Sequence, residues 1–239
     1  VWFDSRGTPA TQLNAVLRDP ANQIVFSSLN MDDHGPVLLP RSGHYVFSIQ
    51  GDAAGSTGGY EFRLVDLSQQ STLVMPSDPV SGTISPVGEA DFYRISLNAG
   101  QRVVVDSQLG SPELRYHLIQ PSGGFLVNNG DTRSDTNTIV PTETGTYFLV
   151  VFGSGAQTGA YDMRVEVAAL TVTPSALDAS MTGAISTPGE ADVFTFVASA
   201  GQRVLFDSQL GTPQVFYTLL SPMGRVLINQ GDTRFDSDP

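Results

Sequence analysis

The chain contains no cysteine and no lysine. Without cysteine no disulfide can staple a small fold, although that absence names no compartment. Without lysine there is no lysine general base, no Schiff base and no Lys-Asn isopeptide link. All twelve basic residues are arginine, set against 24 acidic ones, for a net charge of −12. So few positive charges disfavour nucleic acid and anionic membrane surfaces, which are held through Lys and Arg contacts, and make cations the natural partners. No run of ~18 uncharged apolar residues occurs, so insertion of a helix into a membrane is not expected. Histidine is equally scarce, with three residues.

What is present is repetition. Gly88-Glu89-Ala90-Asp91 returns as Gly189-Glu190-Ala191-Asp192, Ala99-Gly100-Gln101-Arg102-Val103 as Ala200-Gly201-Gln202-Arg203-Val204, and Gly130-Asp131-Thr132-Arg133 as Gly231-Asp232-Thr233-Arg234. A third copy stands in front, where Asp4-Ser5 precedes Asp106-Ser107 and Gly43-His44-Tyr45 precedes Gly145-Thr146-Tyr147. A period of ~100 residues is too long for a solenoid repeat and fits an independently folding module. The expected organisation is the late part of a module at 1–68, a linker at 69–80, a complete module at 81–169, a linker at 170–181 and the early part of a module at 182–239. Pro, Ser and Asp in the linkers would hold the modules in a string.

The fold class follows from period and punctuation. Residues 91–97 alternate, with Tyr93, Ile95 and Leu97 on one face and Phe92, Arg94 and Ser96 on the other, which predicts a half-buried strand with one wet face. Phe194, Phe196 and Ala198 keep that phase in the next copy. Further strands are expected at 81–84, 102–106, 114–119, 125–127, 138–140, 146–152 and 161–167, between Gly, Pro, Asn or Ser clusters. The 146–152 stretch is apolar on both faces, as a central strand covered on both sides would be. About eight short strands without helical crossovers specify an all-β fold of tandem jelly-roll-like antiparallel β-sandwich modules.

Two acidic motifs are candidate metal sites. The loop 128–135 offers Asn129, Asp131 and Asp135, and its copy offers Asp232 and Asp236. Oxygen donors of this kind suit a hard cation such as Ca²⁺, which takes six to eight of them. Asn-Gly is also a turn signal, and Arg133 beside Asp131 makes a solvated turn with a local ion pair the simpler reading. In the first copy Asn30 and His34 stand where Asp131 and Asp135 lie. Glu89 with Asp91, and Glu190 with Asp192, form a weaker alternative, because residues two apart on a strand share a face; a structural use at the strand entrance competes with it. Asp4, Asp106 and Asp207, each followed by Ser, are expected to cap turns, and Arg102 and Arg203 to pair with carboxylates.

Catalysis finds no support in the pattern. His44 is replaced by Thr146 and His117 by Thr218 in the adjacent copies. The chain has no His-Glu-x-x-His zinc helix, no Gly-x-Ser-x-Gly elbow and no phosphate-binding loop ending in Gly-Lys. Trp2 and the tyrosines could stack on sugars, but Trp2 lies in a strand-like run and reads as packed.

Six landmarks follow in order: Gly82-Thr83-Ile84-Ser85, Gly88-Glu89-Ala90-Asp91-Phe92-Tyr93, Ala99-Gly100-Gln101-Arg102-Val103, Gln120-Pro121-Ser122-Gly123-Gly124, Thr144-Gly145-Thr146-Tyr147 and Gly159-Ala160-Tyr161-Asp162-Met163-Arg164-Val165. Over 82–168 this order resembles the bacterial pre-peptidase C-terminal domain family. The resemblance implies a jelly-roll-like sandwich and a non-catalytic accessory of secreted proteases, or a tandem module of large surface proteins. Some relatives bind calcium and substrate through an acidic N-terminal linker that has no clear counterpart here. The expectation is therefore a secreted or cell-surface structural and interaction repeat with a spacing or adhesive role, its partners being neighbouring modules or copies of itself. The alternatives are a filament subunit assembled head-to-tail by strand complementation, and an accessory module binding extracellular polysaccharide or protein.

Overall fold

The computed structural model describes residues 1–6, 12–109, 112–209, 215–223 and 225–236. The chain divides into two compact units, Val1–Thr171 with Gly183–Val193, and Val172–Thr182 with Phe194–Pro239.

In the first unit, the first copy supplies β1 (Trp2–Ser5), β2 (Leu13–Arg18), β3 (Ile24–Ser28), β4 (Val46–Gly51) and β5 (Phe62–Val65). β1 pairs antiparallel with β5, and β2 lies between β3 and β4. Their inward residues, including Phe3, Leu13, Ala15, Leu17, Phe26 and Met31, form one apolar core. A single helical turn, α1 (Leu67–Gln70), is capped by Asp66, whose side chain accepts from the Ser68 amide.

The second copy is complete. β6 (Thr72–Leu73), β7 (Pro79–Ile84), β8 (Ala90–Leu97), β9 (Arg102–Ser107), β10 (Leu114–Ile119), β11 (Phe125–Asp131), β12 (Gly145–Gly153) and β13 (Gly159–Ala168) build two sheets, β11-β10-β12-β8-β6 and β7-β13-β9. All pairings are antiparallel except β6 with β8. Ile84, Ile95, Leu97, Val103, Val105, Leu118, Tyr147, Leu149, Val151, Tyr161, Met163 and Val165 interdigitate between them. This is a β-sandwich, reached because alternate residues of each strand are apolar and must be buried against a second sheet. Of the expected strands, 138–140 is reduced to one bridge, Ile139 with Val103, while 125–127 lengthens to Asp131.

The outer face of β8 is exposed at Ser96, as expected, but sealed at Phe92. Phe92 is 8% exposed and Trp2 2%. Trp2, Val65 and Leu67 of the first copy pack with Ala90, Phe92, Ile119 and Val150, and Phe148 and Phe152 lean on the cluster. That cover explains why β12 is apolar on both sides: Tyr147, Leu149 and Val151 face the sandwich core, and Val150 faces the preceding copy. The stretch 69–80, read from sequence as a linker, carries the end of α1, all of β6 and the start of β7. The Val74 amide donates to the Arg94 carbonyl at 3.0 Å, continuing the β6–β8 pairing. Strand propensity and an available edge on β8 outweigh the Pro and Ser content.

Within 170–195 lie β14 (Leu170–Pro174) and β15 (Ala191–Thr195), which pair with each other. Ser175 donates to Thr195 at 2.7 Å, the counterpart of Val74 with Arg94. The third copy also holds the hairpin β16 (Phe216–Leu220) and β17 (Val226–Asp232). The last residues of the expected 182–239 module, 237–239, lie outside the described residues.

Candidate functional site

The loop 128–135 is built around Tyr116. A Cβ on Gly130 would sit 2.4 Å from the Tyr116 ring, so only glycine lets the backbone cross the ring face; Gly231 stands in the same relation to Tyr217. The crossing delivers Asp131 to Arg133. Arg133 Nε donates to Asp131 Oδ1 at 2.9 Å and its Nη2 to Oδ2 at 2.7 Å, while the Arg133 amide adds a bond to Oδ1 at 2.9 Å. Arg115 stands 3.5 Å from the same carboxylate. The Arg133 bonds hold the Asp131 carboxyl down to about 2. Asp135 points elsewhere, its Oδ1 accepting the Ser107 amide at 2.8 Å. Asn129 lies inside β11, where the register against β10 shifts, with a positive φ of 57°, and its amide donates to His117 Nδ1 at 3.1 Å; the expected Asn-Gly turn is thus an irregularity within the strand. The copy repeats this: Arg234 is bidentate on Asp232, and Asp236 accepts the Ser208 amide at 2.8 Å.

The loop thus brings arginine, not a second carboxylate, to Asp131, and Asp135 closes the loop onto the end of β9. Among the described residues no three His, Cys, Asp or Glu side chains are grouped to hold a metal ion.

Glu89 and Asp91 do not converge either. Glu89 Oε2 accepts the Ser85 amide at 2.8 Å, and Glu190 Oε2 accepts the Ser186 and Thr187 amides at 2.7 and 3.0 Å. Both close the turn that enters the strand. Asp91 Oδ2 accepts the Tyr161 hydroxyl at 2.6 Å, and Tyr161 meets the Tyr93 hydroxyl at 2.6 Å. Burial raises the Asp91 carboxyl despite the Tyr161 bond, and burial raises the Tyr161 phenol. Gly82 leaves room for this group, since a Cβ there would lie 2.5 Å from the Tyr161 oxygen and 3.0 Å from Asp91 Oδ2. Gly183 faces Asp192 in the same way, at 2.3 Å.

The feature that sequence reasoning missed is a charged strip beside Trp2. Asp4, expected to cap a turn, is fully buried and paired across the β1–β5 ladder, with Arg63 Nε donating to its Oδ2 at 2.7 Å. Arg6 Nη1 stands 3.8 Å from Asp4 and 3.7 Å from Glu89 of the second copy. The Arg63 guanidinium lies 5.9 Å from the Phe92 ring centre. Behind it, half-buried Asp33 accepts the Ser5 amide at 2.7 Å, and burial pushes its carboxyl up to about 7. The available signal was the recurrence of Asp4 and Arg63 as Asp106 and Arg164 in the next copy. Arg102, expected to meet a carboxylate, instead donates to the Gly189 carbonyl at 3.4 Å and to Thr138 Oγ1 at 3.4 Å.

Trp2 is sealed from solvent, its ring 6.3 Å from Phe92 and 5.8 Å from His117. His117 is wedged among Trp2, Phe125 and Phe152, and burial drives its imidazole down to about 4. It accepts a backbone amide and is positioned as a packing residue.

No protein-family model matches the chain, and no curated protein matches it. Among solved structures, the pre-peptidase C-terminal domain of a collagenase from Bacillus anthracis is similar at 16% identity, over 40% of this chain and 94% of that one, with a TM-score of 0.29. PliG, a periplasmic inhibitor of g-type lysozyme, is similar in its Aeromonas hydrophila form at 16% identity, over 41% and 97%, with a TM-score of 0.31. The Salmonella Typhimurium PliG gives 17% identity, 40% and 99%, and a TM-score of 0.29. At these scores the likeness assigns no role. No helix among the described residues is long and apolar enough to cross a membrane.

Proposed function

We propose that the chain is a non-catalytic structural repeat of a secreted or surface-exposed bacterial protein, whose modules set the spacing and direction of what they carry. The observation that carries this reading is the burial of Trp2, the single tryptophan, against the sheet of the next module. A large aromatic fixed between copies contributes to holding one module on another, which a free string of domains does not need. The groups with site-like chemistry support it as well: Asp131, Asp135, Glu89 and Asp91 each close a loop or satisfy a neighbour within the fold.

Small-angle scattering of residues 1–239, with and without millimolar calcium, tests this together with glycan-array binding by the same chain. The reading expects a particle of fixed dimensions at both calcium levels and no glycan retained. Retention of a polysaccharide at millimolar concentration or below would replace spacing by ligand binding as the role.

A further inference from the structure

The chain contains two junctions between copies, and they can be compared residue by residue. Trp2 corresponds to Val104, Arg6 to Gln108, Val65 to Glu166, and the turn Gly88-Glu89-Ala90-Asp91 to Gly189-Glu190-Ala191-Asp192. At the first junction Trp2 and Val65 rest on Ala90 and Phe92, and Arg6 reaches Glu89. At the second, Val104 lies against Gly189 so closely that a Cβ there would stand 2.4 Å from Val104 Cγ2 and 3.3 Å from the Ala168 Cβ. Arg102 bonds the Gly189 carbonyl, and the Ala191 amide donates to the Ala169 carbonyl at 3.3 Å. The same strand position of one copy therefore meets the same turn region of the next, twice, with different side chains.

We propose that the Gly-Glu-Ala-Asp turn and the outer face of the strand it opens form a docking surface for the preceding copy of the module, held firmly where that copy brings Trp2 and loosely where it brings Val104. The proposal rests on reading the chain as a string of modules and names the partner each module takes within it. The grading has a physical cause. An indole removes far more apolar surface from water than an isopropyl group. Val65 adds to the apolar contact, whereas Glu166 at that position puts a carboxylate that resists dehydration beside it. The Arg6–Glu89 attraction has no counterpart, because Gln108, at the position of Arg6, carries no charge.

Trp2 is the only tryptophan, so its fluorescence reads the first junction without labelling. The experiment uses residues 1–239 and follows Trp2 emission and iodide quenching, with tyrosine near-ultraviolet circular dichroism reporting the sandwich core. V65E brings the second junction's residue to the first, F92S removes the ring that faces Trp2, and E89Q removes the charge opposite Arg6. The native chain should emit in the blue and resist iodide. V65E and F92S should shift emission toward that of the urea-unfolded chain and raise quenching several-fold while the tyrosine signal stays, and E89Q should do so more weakly. If F92S also loses the tyrosine signal, V65E decides alone, since Val65 lies on the other copy. Native-like emission in V65E, or a wild-type Trp2 quenched as in urea, overturns docking. Fixed dimensions by scattering alongside a freely quenched Trp2 would retain the string of modules and discard the docking surface.

Discussion

The second and third copies present nearly the same residues in different surroundings. The hairpin β16–β17 reproduces β10–β11 pair for pair: Leu219 opposes Ile228 as Leu118 opposes Val127, with register breaks at the same places. The Asp–Arg turn is reproduced down to its bidentate bonds. Burial is not reproduced. Ile84 is wholly buried, while its counterpart Ile185 is 44% exposed; Tyr116 is buried, and Tyr217 is half-exposed. The second copy's core is filled by Tyr147, Leu149 and Val151 of β12 and Tyr161, Met163 and Val165 of β13, and residues 182–239 include no positions that match these two strands. Turn chemistry and pairing are local and form wherever the segment occurs, whereas the core is a long-range product of late strands placed between and opposite early ones.

The sharpest way to break that comparison is to truncate one residue in each copy. Leu118→Ala should destabilise the second copy by ~2–5 kcal/mol, the range for a wholly buried leucine, and Leu219→Ala should cost ~1 kcal/mol or less. Urea titrations of the two variants measure it, and equal losses would contradict the contrast. Next in size is Tyr161→Phe, which removes the hydroxyl donor to Asp91 and leaves that carboxylate short of a partner, at a cost of ~1–3 kcal/mol. The change should appear in the main melting transition.

A pH series reaches the buried carboxylates. Asp33 faces Asp4, Asp32 and Arg6, and its carboxyl is raised to about 7 in the fold from 3.8. The folded state therefore binds the proton more tightly than the unfolded one. The stabilisation is complete below pH ~4 and is lost as pH rises toward about 7. Asp33→Asn keeps an acceptor for the Ser5 amide and should flatten the stability curve between those limits; an unchanged slope would place the titration elsewhere. The smallest effect belongs to the local motif. Arg133→Ala and Arg234→Ala should each change the urea midpoint little, and alike in the two copies, because the pairs are surface ones. The same variants remove one guanidinium from Asp131 and Asp232, so a melting temperature raised by millimolar calcium only in the variants would show that this arginine keeps the loop free of metal.

Much of the sandwich was legible because its signals are periodic. The alternation in 91–97, the doubly apolar 146–152 and the repeated Gly-Asp-Thr-Arg turn each map to an observed feature, β8, β12 and the turn at the end of β11. The junction was not legible for the opposite reason. Phe92 sits in a polar phase and reads as the exception on a wet face until Trp2, ninety residues earlier in the chain, is laid on it. Asp4 reads as a turn cap because its partner Arg63 is distant in sequence and adjacent only across the β1–β5 ladder. Val74 reads as linker because a strand of two residues leaves no period to detect.

The claim that the segments between copies are built into the sheet that follows them, and are not free linkers, is tested most directly by amide hydrogen exchange at Val74 and Ser175 in residues 1–239 at neutral pH. Their bonds to the Arg94 and Thr195 carbonyls, at 3.0 and 2.7 Å, predict exchange well below the rate of an unstructured chain at both positions. Exchange at the unstructured rate through 72–75 and at 175 would make these segments free linkers and contradict the account.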